Sequence, residues 1–105
     1  MIALTLFDVT FAISEKDAKQ FARDIAVLLD GGGETALLVH KMSVKRTEGG
    51  LFRIWYNIRN KPHLEGLTAA DVAAEAIKLT KTSLDPQAKV VAALTKHLRQ
   101  ADALF

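Results

Sequence analysis

Residues 35–60 read TALLVHKMSVKRTEGGLFRIWYNIRN, and the way this stretch alternates decides the fold. Its second half keeps a clean two-residue phase, with Phe52, Ile54, Tyr56 and Ile58 on one side and Arg53, Trp55, Asn57 and Arg59 on the other. That is the pattern of a strand buried on one face only. The first half splits in the same way, Leu38, His40, Met42 and Val44 against Val39, Lys41, Ser43 and Lys45. Thr47-Glu48-Gly49-Gly50 lies between the halves and has the composition of a hairpin turn. The expectation is two antiparallel strands, residues 35–46 and 51–60. Pro62 has no amide to donate and biases Lys61 towards extended backbone, so the second strand should end near it.

Upstream, residues 2–13 also alternate and read as a single strand. Phe7, Val9, Phe11 and Ile13 share one side, while Ile2, Leu4 and Leu6 form a set of opposite phase. That slip implies a bulge, or burial on both faces. Ser14 with Asp17 three residues on is the start signal of a helix, and Ala18, Phe21, Ala22, Ile25, Leu28 and Leu29 recur at helical spacing. Gly31-Gly32-Gly33 ends it. The triplet follows a helix and precedes a strand, the reverse of a phosphate-cradling loop, so it reads as a turn.

Downstream, residues 63–67 read as a polar loop. Thr68 with Asp71 marks a second helix, whose stripe is built from Ala69, Val72, Ala73, Ala76, Ile77 and Leu84. Asp85-Pro86 marks the start of a third, with Val90, Leu94, Leu98, Ala101 and Phe105 on one face and Lys89, Lys96 and Arg99 opposite. Phe105 is expected to dock on the chain's own core, the alternative being insertion into a second subunit. The order is then βαββαα, a single compact α+β domain over residues 1–105 with a three-stranded, mainly antiparallel sheet covered on one face by helices.

Composition agrees with such a domain. Of 105 residues half are apolar and a quarter charged, with no cysteine, which excludes a disulfide scaffold and a thiolate metal site. Met1 leads straight into the alternating stretch, with no signal-peptide pattern, so the expected setting is cytoplasmic and no membrane partner is implied. No motif identifies a family or a chemistry.

Charge is unevenly placed. Between His40 and Lys61 stand six basic residues (Lys41, Lys45, Arg46, Arg53, Arg59, Lys61) and one acid, Glu48, although the whole chain carries only +2. The outward side of the expected hairpin gathers Lys41, Ser43, Lys45, Arg53, Trp55, Asn57 and Arg59. Arg46, at the end of the first strand, joins the same basic group. Trp55 and Tyr56 are neighbours in a strand and must face opposite ways. Tyr56 keeps the apolar phase, so Trp55 is the residue expected outside.

Two functions fit this face equally well. Cations for phosphates, an indole for stacking and an amide for base edges suit RNA or single-stranded DNA. An exposed Trp beside Arg equally suits the centre of a protein interface, formed with another protein or between copies of the chain as a homo-oligomeric accessory or inhibitor subunit. The plainer alternatives are a merely solvated basic face, or a pairing register that makes Trp55 ordinary core. For catalysis, His63 and Glu65 beside Lys61 and Arg59 form an acid–base set only by nearness in sequence, and a polar loop explains them better. His40, His63 and His97 lack metal-ligand spacing. The expectation is a non-enzymatic binding module with no cofactor and no metal.

Overall fold

The computed structural model describes residues 1–81 and 87–102, with residues 99–102 by backbone alone. In chain order the elements are β1 (Ile2–Leu6), β2 (Val9–Ile13), α1 (Glu15–Leu29), β3 (Thr35–Leu38), β4 (Met42–Arg46), a 3-10 turn (Glu48–Gly50), β5 (Phe52–Tyr56), β6 (Leu64–Leu67), α2 (Ala69–Thr80) and α3 (Ala88–Asp102). The class is α+β as expected, but the single three-stranded sheet is not. There are two antiparallel sheets, a β1-β2 hairpin and a four-stranded meander of order β3-β4-β5-β6.

Three local features account for the difference. Residues 2–13 are not one strand, because Phe7 (φ 48) and Asp8 (φ 68) form a two-residue turn that sets Leu6 opposite Val9. Both residues adopt the left-handed backbone that primed hairpin turns require. Phe is unfavourable there, and its side chain compensates by burying itself in the core at 4% exposure. The phase slip ahead of Phe7 is this reversal. One face of the hairpin then carries Leu4, Leu6, Val9, Phe11 and Ile13, and on the other the Thr5 and Thr10 hydroxyls meet at 2.7 Å.

Residues 35–46 are likewise two strands. The Lys41 amide donates to the Leu38 carbonyl at 3.0 Å, closing a turn in which His40 takes φ 64. The third departure is β6. Leu64-Glu65-Gly66-Leu67 pairs with β5 through a register shift between Phe52 and Ile54, with Gly66 at φ 71, a conformation that suits glycine. The segment expected as a polar loop is thus an edge strand.

The helix starts follow their local chemistry. The Asp17 amide donates to Ser14 Oγ at 3.1 Å, leaving one fewer unsatisfied donor in the first turn of α1. At α2 the box is reciprocal, the Asp71 amide donating to Thr68 Oγ1 at 3.1 Å and the Thr68 amide to Asp71 Oδ2 at 3.0 Å. The predicted stripe of α1 is buried throughout, and Val72, Ala73, Ala76 and Leu79 are buried on α2. Val90 and Leu98 flank the fully buried Leu94 on α3. Leu84, the Asp85-Pro86 signal and Phe105 lie outside the described residues, and so do the side chains of Arg99 and Ala101.

All three helices lie on one side of the four-stranded sheet. α1 packs next to β3, α2 next to β6 and β1, and α3 against both α1 and α2. His97 on α3 is 6% exposed, and its Nε2 lies 2.8 Å from the carboxylate of Asp30, the C-cap of α1. Inward residues of the sheet, Ala36, Leu38, Met42, Val44, Phe52, Ile54 and Tyr56, join the helices in a single core cluster. Among the described residues nothing covers the opposite face of the sheet, where Leu37 and Trp55 are exposed.

Candidate binding face

Strand alternation gives the uncovered face its chemistry. Register sets Ser43 opposite Leu37 on one side and Trp55 on the other, so Leu37, Ser43 and Trp55 form a row across β3, β4 and β5. The next row is Thr35, Lys45 and Arg53. Trp55 is 44% exposed and Tyr56 2%, so the two neighbours divide between the faces as the sequence phase implies. Leu37, at 55%, adds an exposed aliphatic that lay outside the candidate group, although its position opposite Ser43 follows from the same alternation.

The predicted binding residues separate here. Lys45, Arg53 and Trp55 stand together on the outer face. Arg53 is not a free cation, because its Nε lies 2.9 Å from Glu65 on β6, a partner invisible while residues 63–67 read as a loop. Both side chains are largely exposed, so the pair contributes about 0.2–1 kcal/mol, but it halves the local excess of positive charge. Asn57 follows β5 and spends its side-chain amide on the His40 carbonyl at 3.2 Å, strapping the β3-β4 turn. Lys41 places its ammonium 5.6 Å from the centre of the Phe11 ring. Arg59 lies beyond β5, exposed in the turn that the Lys61 amide closes on the Ile58 carbonyl.

Arg46 leaves the face altogether. It shares the phase of Met42 and Val44, so its side chain turns to the helix side, where it donates to the carbonyls of Leu28 and, at 2.6 Å, Gly33. A helix ends with carbonyls that lack intrahelical partners, and the guanidinium supplies one together with a favourable charge. Arg46 therefore ties β4 to the end of α1 and is no longer part of the candidate binding group.

A separate cleft of about 430 Å³ lies on the helix side, lined by Phe7, Asp8, Leu64, Leu67, Asp71, Ala74 and Glu75. Beneath it the Tyr56 hydroxyl donates to the Phe7 carbonyl at 2.5 Å. Burial, with Asp8 and Glu75 as nearby negative charges, pushes the Tyr56 pKa up to about 12. Two of the three carboxylates are already engaged, Asp71 in the α2 capping box and Glu75 with Lys78 at 2.6 Å. The residues weighed for acid–base chemistry do not form a set: Glu65 is held by Arg53, and His63 is exposed before β6.

No helix among the described residues is long and apolar enough to cross a membrane. No family model, curated protein or solved structure matches the chain.

Proposed function

We propose that the chain is a non-catalytic protein-docking module whose contact surface is the outer face of the four-stranded sheet. The observation that carries this reading is the exposed apolar row of Leu37 and Trp55, bordered by Lys45 and Arg53. A large aromatic and an aliphatic on either side of a small Ser43, rimmed by polar cations, have the composition of an interface centre. The complementary partner is a protein surface with an apolar pocket for the indole and acidic groups around it.

Nucleic acid fits the same face less well. Affinity for a phosphate backbone grows with the number of cations that reach it. Of the six in residues 40–61, Arg46 faces the helices, Arg53 is paired with Glu65, and Lys41 and Lys61 lie over the Phe11 and Tyr56 rings. Neither Ser43 next to Trp55 nor Leu37 beyond it offers a π-surface for a second base.

Two measurements test the proposal. Immobilised wild-type chain and its Trp55→Ala variant are exposed to the same host extract at moderate salt. A protein retained stoichiometrically by the first and lost by the second is the expected result, since truncating a central Trp costs about 2 kcal/mol or more of binding energy. In parallel, emission of Trp55, the sole tryptophan, is followed during titration with single-stranded RNA and DNA. Saturable quenching that collapses with salt would transfer the face to nucleic acid and refute the protein reading.

A further inference from the structure

β6 is bulged at one place, and the bulge has a direction. Phe52 stands opposite Leu67 and Ile54 opposite Leu64, so a single residue of β5, Arg53, faces two of β6, Glu65 and Gly66. Gly66 takes φ 71, the left-handed conformation with which a strand absorbs an extra residue. In a regular strand Leu64 and Leu67, an odd number of positions apart, would point to opposite faces. The bulge turns both to the helix side, where they line the cleft. The same excursion sets Glu65 over Arg53, its carboxylate 2.9 Å from Nε.

On the far side of Arg53 stands Lys45, its direct cross-strand partner. Like charges so opposed repel, and a carboxylate beside them relieves the repulsion. Across the four strands this row reads Thr35, Lys45, Arg53 and Glu65, next to the row of Leu37, Ser43 and Trp55. Two residues along a strand separate the rows, about 7 Å. A protein group that docks on the apolar row therefore carries its neighbours onto the two cations. Arg and carboxylate make directed, charge-assisted hydrogen bonds, with Lys adding a compact second charge. Arg53 and Glu65 are both exposed, and a pair of this kind is weak enough to be exchanged for another.

We propose that Glu65 is a built-in competitor at the docking face: it holds Arg53 in the free chain and gives way to a carboxylate of the partner, which settles between Arg53 and Lys45. This rests on the outer face being the docking surface, and it adds what that face selects. A partner with an acid beside its apolar group replaces Glu65 and gains both cations. One without an acid leaves the internal pair in place and gains neither.

Titration of the full isotope-labelled chain with a hexaglutamate peptide, followed by NMR, tests the exchange without the partner. It is done at about 0.1 M salt, where exposed charges more than about 10 Å apart are screened from each other. The Arg53 Nε–H resonance should move saturably. Glu65→Gln keeps the shape of the side chain and should tighten binding about two- to fivefold, the range that an exposed ion pair spans. Lys45→Ala should weaken it by a similar factor. Asp24→Asn removes the same charge from α1, on the other side of the sheet, and should leave the affinity unchanged. Equal affinity of the wild-type chain and Glu65→Gln, a gain matched by Asp24→Asn, or an Arg53 resonance that stays in place overturns the proposal. Capture of a protein through Trp55 is scored separately. A captured partner with an indifferent Glu65→Gln keeps the docking face and refutes the exchange, whereas a tightened peptide with no captured partner supports the exchange and refutes the docking face.

Discussion

Replacing Tyr56 by Phe removes one hydroxyl and leaves the ring. In the native chain that hydroxyl is buried and donates to the Phe7 carbonyl at 2.5 Å, across 49 residues of sequence. Without it the carbonyl loses a partner in a place water reaches poorly, at a cost of about 1–3 kcal/mol. Tyr56→Phe should therefore lower the unfolding free energy by that amount at neutral pH. The deficit should close at high pH, because the native pKa of Tyr56 is raised from 10.0 to about 12. The folded state holds this proton more tightly than the unfolded chain does. Its contribution is complete below pH 10 and drains away as pH climbs towards 12, at about 1.4 kcal/mol per pH unit. All other ionisable groups are common to both proteins and cancel in the difference. Urea denaturation followed by Trp55 emission, in steps across the alkaline range, gives both stabilities. Absorbance of the tyrosinate ion, from the only tyrosine in the chain, reports the native pKa directly. A gap between the two proteins that stays constant from neutral to strongly alkaline pH would refute both the buried bond and the cause assigned to the shift.

Three further outcomes follow from the packing. Arg46→Ala should destabilise by about 1–2 kcal/mol, measured by urea denaturation, because the carbonyls of Leu28 and Gly33 lose a charged donor. Lys45→Ala, on the open face one residue away, should stay within about 0.5 kcal/mol. Thr68→Ala removes half of the reciprocal box of α2 and should cost about 1 kcal/mol, seen as a lower midpoint with an unchanged denaturant slope. Ala76→Leu forces three extra carbons into a fully buried position on α2, the helix that packs against both α1 and α3, and should lower stability by about 1–3 kcal/mol in a thermal melt.

What could be read from the sequence was what local chemistry decides. Ser14 and Thr68 announce their helices because a cap is a contact between residues three apart. Trp55 and Tyr56 sort correctly because alternation is a property of one strand. The hidden features are reversals without the usual turn residues. Phe7 and His40 take positive φ in stretches that otherwise look continuous, and burial of the Phe7 side chain, a tertiary effect, stabilises the first. β6 escaped notice because Glu65 and Gly66 suit neither an alternating nor a buried strand, and only β5 beside it gives its backbone partners. The candidate face inherited both kinds of error. Arg46 is inward because its phase matches Met42 and Val44, whereas Glu65 neutralises Arg53 from a strand that had not been expected.

The meander also governs how the chain reaches this structure. Each strand of the larger sheet bonds to its neighbour in sequence, so every pairing closes a short loop at small entropic cost. The β1-β2 hairpin, by contrast, meets Tyr56 only across 49 residues of sequence. Folding rate should accordingly be set by the segment from β3 to β5, with the amino-terminal hairpin locking on afterwards. Substitutions at Val44 or Ile54 should slow folding, and those at Phe7 should chiefly speed unfolding, so the lifetime of the native state is controlled from the end of the chain that assembles last.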